Sequence, residues 1–180
     1  MQFKIPNETT GFTNEDLMDT LKEMGEVGNK YKIDLFNFFA RLFCTLSEEI
    51  ISKFGESGKE AIISGVKKFG EKRGNEIAEI VKSLGKELTL KNYFIYTTFD
   101  AGETTKYKVN IVDGNVELKI TKCVFCDGCK DWDKLKYGRI YCDYIDEAIL
   151  KDYNPNLKIE VPYMLTRGDK HCVQRYIRKA

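Results

Sequence analysis

The sequence predicts an α+β protein, with a helical N-terminal half packed on an antiparallel β-sheet and a helix near residues 139–152 crossing over it. Three observations carry this reading. Up to about Leu90 the apolar residues recur at helical spacing, and glycine, not proline, punctuates them. From Asn92 the pattern turns to alternation, as a half-buried strand requires. Asp113-Gly114 separates two alternating runs, and its suitability for positive φ angles marks a hairpin turn.

Taken in order, Thr13-Asn14-Glu15-Asp16 reads as a helix start, followed by Leu17, Leu21 and Met24 on one face. A longer apolar helix is expected over residues 33–54, with Leu35, Phe38, Phe39, Leu42, Phe43, Leu46 and Ile50 forming a wide stripe and Gly55 ending it. Ser57-Gly58-Lys59-Glu60 fits a capping box for the next helix, which carries Ile62, Val66 and Phe69 inward. Another helix is expected after Gly74-Asn75, with Ile77, Ile80, Val81 and Leu84 on its inner face.

Residues 93–99, 106–111 and 116–120 read as three strands, each with one buried and one wet face, the last two paired antiparallel. An irregular stretch is expected after Cys123. The 139–152 helix then ends at Asn154-Pro155-Asn156, because proline disfavours helix in the residue before it. Ile159, Val161 and Tyr163 alternate as a fourth strand, placed at an edge by Pro162. Residues 167–170 form a turn before a closing strand at 173–177. Residues 1–34 read as an N-terminal helical extension and 35–180 as the α+β domain, a single domain overall. With 180 residues and 42% hydrophobic content the chain can bury a core without disulfides.

Charge excludes some partners. The 29 basic and 28 acidic side chains leave a formal net charge of +1, so no global pull toward nucleic acid or an anionic membrane is expected. No apolar run approaches the ~20 residues that span a bilayer, and Met1-Gln2-Phe3-Lys4-Ile5-Pro6-Asn7-Glu8 has no apolar leader core. A cytoplasmic location with reduced thiols is the expectation. A homodimer is compatible with the sequence.

Five of the six cysteines and the single histidine, His171, fall between Cys123 and Cys172. Cys44 stands apart in the apolar helical stripe and reads as a small buried hydrophobe. Cys123, Cys126 and Cys129 form a C-x2-C-x2-C run, a spacing that can bring thiolates to one point as zinc requires, with Cys142, His171 or Cys172 available to close the shell. An iron–sulfur cluster is disfavoured, since no C-x3-C-P continues the run. Cys142 and Asp146 lie four apart, on one face of the expected helix. His171 and Cys172, adjacent at a strand entry, should point to opposite faces.

The ordered set Cys123-Val124-Phe125, Tyr141-Cys142 with Asp143 and Asp146, Tyr153-Asn154-Pro155, Gly168-Asp169-Lys170-His171-Cys172 and Tyr176 resembles the L-2-amino-thiazoline-4-carboxylic acid hydrolase family. Residues 54–62 and 69–74 add to the likeness, which covers roughly residues 35–178. The closing Gly-Asp-x-x-Cys element is also similar to the 4-vinyl reductase ligand-binding domain. Cys126 and Cys129 are extra to the hydrolase pattern, and Met164 stands where the vinyl reductase pattern has a cysteine.

The resemblance implies a hydrolase that adds water to a cyclic amidine or isothiourea carbon and expels the ring sulfur, a 2-aminothiazoline-4-carboxylate-like substrate giving an N-carbamoyl-cysteine. Such a reaction needs a nucleophile or activated water, a proton shuttle and a grip on the substrate carboxylate. Cys123 or Cys142 could attack, Asp146 could shuttle the proton, Asn154 could donate to the substrate, and Arg139 or Arg167 could hold the carboxylate. Cys172 completes the catalytic set. No cofactor is required by that chemistry. The alternative is a non-catalytic small-molecule- or zinc-binding module, in which Cys123, Cys126, Cys129 and Cys142 hold the metal.

Overall fold

The computed structural model describes residues 13–97, 105–112 and 114–178. Two compact units are present, Met1–Ile33 and Asp34–Ala180. In the first, α1 (Asn14–Val27) opens on a capping box: the Asp16 backbone N–H donates to Thr13 Oγ1 at 3.1 Å, and the Thr13 N–H donates back to the Asp16 carboxylate at 2.7 Å. The expected start is therefore the observed one. The helix buries no residue, and its apolar Met18, Leu21 and Met24 are exposed.

The second unit is built on α2 (Leu35–Ser83), which Asp34 caps by accepting from the Phe36 N–H at 2.7 Å. Gly55 kinks it sharply, at φ 62° and ψ −138°, a conformation that a side chain would strain. Helix resumes at once beyond the kink. The Ser57 hydroxyl donates to the Phe54 carbonyl at 2.8 Å. The helix break expected at Gly74 is absent, because Gly74 serves packing. A Cβ there would lie 2.2 Å from the Ile149 carbonyl, so glycine lets α2 press backbone to backbone against α5 (Leu135–Tyr153).

The segment expected as the first strand is instead α3 (Leu90–Tyr96), and residues 98–99 of that expectation lie outside the described residues. Thr89 caps it by accepting from the Asn92 N–H at 3.2 Å. Aromatic residues placed Tyr93 and Phe94 at a helical contact with Tyr176, and that packing overrides their strand preference.

The sheet holds β1 (Lys106–Val112), β2 (Asn115–Lys122), β3 (Leu157–Tyr163) and β4 (Cys172–Arg178) in the order β1-β2-β4-β3, every neighbouring pair antiparallel. The fold is α+β, as expected. The hairpin joins β1 to β2 with Gly114 at φ 75°, while Asp113 lies outside the described residues. β1 does not bury one face: all its residues are exposed, since it packs chiefly on β2 at the sheet edge. β3 is the other edge, with a register shift between Glu160 and Tyr163 at Pro162.

The stretch after Cys123 is not irregular but helical, α4 (Val124–Asp131), with Cys123 at its N-cap position. α5 starts at Leu135, earlier than expected, and ends where Asn154 interrupts it. A short 3-10 turn (Leu165–Arg167) and left-handed Gly168 lead into β4. The main core joins Ile77, Ala78 and Val81 of α2, Tyr93, Leu150, Tyr153, Leu157 and Tyr176. Among the described residues no helix is long and apolar enough to cross a membrane.

Candidate active site

Period-two geometry puts Cys172, Gln174 and Tyr176 on one face of β4, and the antiparallel register sets Ile120, Leu118 and Val116 of β2 beside them. α5 crosses this side. Four-residue spacing brings Cys142 and Asp146 to the same helix face, and the Asp146 carboxylate accepts from Gln174 Nε2 at 2.7 Å. The Tyr176 hydroxyl donates to Gln174 Oε1 at 3.2 Å, which fixes the amide with its N–H toward Asp146. Asp146 is partly buried, and the loss of solvent pushes its carboxyl up to about 6.

Beside it four thiols converge from four places in the chain. Cys126 of α4 and Cys172 of β4 are buried with Met164 and Leu165, and Cys123 and Cys142 pack against that group. Cys123, Cys126 and Cys142 lie close enough for each thiol to influence the titration of the next. Cys142 receives the Cys126 hydrogen bond, which favours its thiolate, but burial and the nearby Cys123 and Asp146 raise its pKa overall. Interaction with Cys126 and burial also raise that of Cys123. Burial pushes Cys172 up to about 11. The buried Thr166 hydroxyl also favours the Cys142 thiolate and has no well-formed hydrogen bond of its own.

Other expected residues are placed differently. Arg139 donates to Asp143 at 3.0 Å, and Arg167 donates to the same carboxylate at 2.6 Å and to the Val161 carbonyl at 3.0 Å. Both guanidiniums flank the Cys142 end of α5. Asn154 lies twelve residues further along, about 18 Å by helical rise. Its amide is used at the helix end, donating to the Leu88 carbonyl at 2.5 Å and accepting from the Asn156 N–H at 2.9 Å. The His171 ring lies against that of Tyr163, tilted, with 5.6 Å between centroids.

The C-x2-C-x2-C run does not bring all three of its thiols together. In helical form Cys126 meets Cys142, whereas Cys129 turns to Cys44 of α2, Sγ to Sγ 3.2 Å, in a second cluster with Ala40 and Phe125. Among the described residues no group of three or more His, Cys, Asp or Glu side chains is arranged to hold a metal ion. Cys44 is buried as expected but is not alone. A groove of about 510 Å³ along α2, lined by Lys68, Phe69, Glu71, Lys72 and Asp152, contains no thiol.

The model of the family described as L-2-amino-thiazoline-4-carboxylic acid hydrolase matches residues 36–176. The chain belongs to this family. Its match spans α2 through β4, so the thiol cluster and Asp146 lie within the family region. No curated protein matches the chain. Among solved structures the chain is similar to the crystal structure of a trafficking protein particle complex subunit 3 from Naegleria fowleri covalently bound to palmitic acid, at 16% identity over 79% of this chain and 96% of that one, TM-score 0.46. At that distance nothing about ligand or partner carries over.

Sequence reasoning missed three members of the site. Gln174 follows Cys172 by two residues and so shares its strand face, a signal legible from period two alone. Cys126 was expected only as a metal ligand, whereas it packs beside Cys142. Thr166 carried no signal, since its approach depends on the 3-10 turn.

Proposed function

We propose that the chain hydrolyses a small cyclic amidine or isothiourea, of the 2-aminothiazoline-4-carboxylate kind, with Cys142 as nucleophile and Asp146 as the proton-transfer group. The single observation that supports this most is Cys142 on the same face of α5 as the Asp146 carboxyl, which Gln174 holds and burial raises to about 6. A thiol kept protonated by burial needs a base at hand when it attacks, and a base is most effective with its pKa near the working pH.

Asp146 takes the Cys142 proton as the sulfur attacks the amidine carbon. The ring C–S bond breaks, and the departing sulfur receives that proton from Asp146. Water, deprotonated by the same carboxylate, then adds to the carbon. The bond to Cys142 breaks, its thiol regains the proton, and the carbon is left as the carbonyl of an N-carbamoyl group. Cys126 and Thr166 donate toward the Cys142 thiolate, and Cys123 and Cys172 close the apolar wall around it. Gln174 orients Asp146. Arg139, one turn before Cys142 and half exposed, is the grip for a substrate carboxylate, with Arg167 bracing it through Asp143. Asn154 takes no part, because its amide belongs to the helix end.

The test is turnover of L-2-aminothiazoline-4-carboxylate by the wild type, Asp146→Asn and Cys142→Ala, followed by appearance of the carbamoyl product. Losses of about 10²–10⁴ in kcat/KM are expected for Asp146→Asn. Retention of full activity by both folded variants would refute the assignment.

A further inference from the structure

The Cys44–Cys129 pair lies outside the proposed reaction. Both sulfurs are fully buried, 3.2 Å apart, and bring α2 and α4 together across a sequence separation of 85. Around them stand Phe36, Phe43, Phe125 and Tyr137, an apolar wall that shields the pair from bulky thiol reagents. Gly138 is required there: a Cβ at that position would lie 2.3 Å from Cys129 Sγ. The Lys134–Glu48 ion pair spans the same two regions, with Glu48 one turn after Cys44. The two sulfurs need to close by only about 1 Å in total to reach disulfide bonding distance.

We propose that Cys44 and Cys129 are an oxidative modification site, a dithiol that a small peroxide converts to a disulfide clamping α2 to α4. In the first step the thiolate of one cysteine attacks a peroxide oxygen; the O–O bond breaks, leaving a sulfenic acid and hydroxide. In the second the neighbouring thiol attacks that sulfur. The S–S bond forms, the S–O bond breaks, and the hydroxyl departs as water with the thiol proton. Peroxide is the oxidant, and both sulfurs are oxidised. Hydrogen peroxide is small and neutral enough to arrive by local opening, which glutathione disulfide is not.

The disulfide joins α4 to the longest helix, and α4 carries Cys126 toward Cys142, so oxidation fixes one wall of the candidate site without consuming its thiols.

The experiment treats the full chain with hydrogen peroxide under native conditions, denatures it with an alkylating reagent, and maps cross-linked peptides by mass spectrometry. Expected are loss of two of the six thiols, a dominant Cys44–Cys129 peptide, and a Tm rise of roughly 5–10 °C that dithiothreitol reverses. Cys44→Ser and Cys129→Ser should each abolish that rise, while Cys126→Ser should keep it. Because serine at either position alters buried packing, the wild-type peptide map stands as a readout independent of the variants' folding. Cross-links confined to Cys123, Cys126, Cys142 or Cys172, or six thiols surviving peroxide, would overturn the proposal.

Discussion

Replacing Asp146 by asparagine should stabilise the fold at neutral pH while it disables the proposed chemistry. The carboxyl is raised from 3.8 to about 6 by burial. For a carboxyl raised in the folded state, the native protein binds the extra proton between those two values, so stability falls as pH climbs through that window and stays lowered above it. The shift corresponds to about 3 kcal/mol at pH 7, and local relaxation and solvent screening bring the expectation to about 1–3 kcal/mol. Asparagine is nearly isosteric, carries no charge, and its carbonyl can still accept from Gln174 Nε2. Urea denaturation of wild type and Asp146→Asn from pH 3.5 to 8 measures the difference directly. The curves should coincide near pH 3.5 and separate as pH rises through about 6, with the variant the more stable by about 1–3 kcal/mol at pH 7 and its Tm higher by about 3–8 °C. A variant equal to or weaker than wild type at pH 7 would show that Asp146 is well solvated, and the electrostatic basis of the site would fall.

Two further outcomes test other parts of the structure. Gly74→Ala places a methyl group 2.2 Å from the Ile149 carbonyl and should cost about 1–3 kcal/mol, read as a lower urea midpoint; an unchanged midpoint would mean that α2 and α5 are less closely packed than described. Cys172, pushed up to about 11, holds at least a hundredfold less thiolate at pH 7 than an unperturbed cysteine, so 5,5′-dithiobis(2-nitrobenzoate) should label it far more slowly than free cysteine until the protein is denatured.

Local signals were legible where one residue type has one use. Thr13 with Asp16, the alternation on either side of Gly114, and Pro162 at a sheet edge each led to the observed element. The sequence could not reveal that glycine in α2 plays two roles, since Gly55 kinks the helix while Gly74 is a contact surface whose partner lies 75 residues away. Residues 93–99 read as a strand because aromatic residues favour strands, and the packing of Tyr93 and Phe94 on Tyr176 goes with helix up to Tyr96 instead. Within the site, helix and strand periods brought Cys142 to Asp146 and Cys172 to the same side. The division of the C-x2-C-x2-C run between two clusters was not legible, because the spacing fits a metal loop and a helix equally and the position of α2 decides. Asn154 looked functional for want of its distant partner, the Leu88 carbonyl.

The most direct test of the account is the pH dependence of kcat/KM for L-2-aminothiazoline-4-carboxylate. If Asp146 accepts the Cys142 proton, the rate must rise with pH through an inflection near the value of about 6 that burial gives this carboxyl, and Asp146→Asn must abolish that limb along with most of the rate. A profile flat across that region in the wild type, or an inflection that persists in Asp146→Asn, would contradict the account.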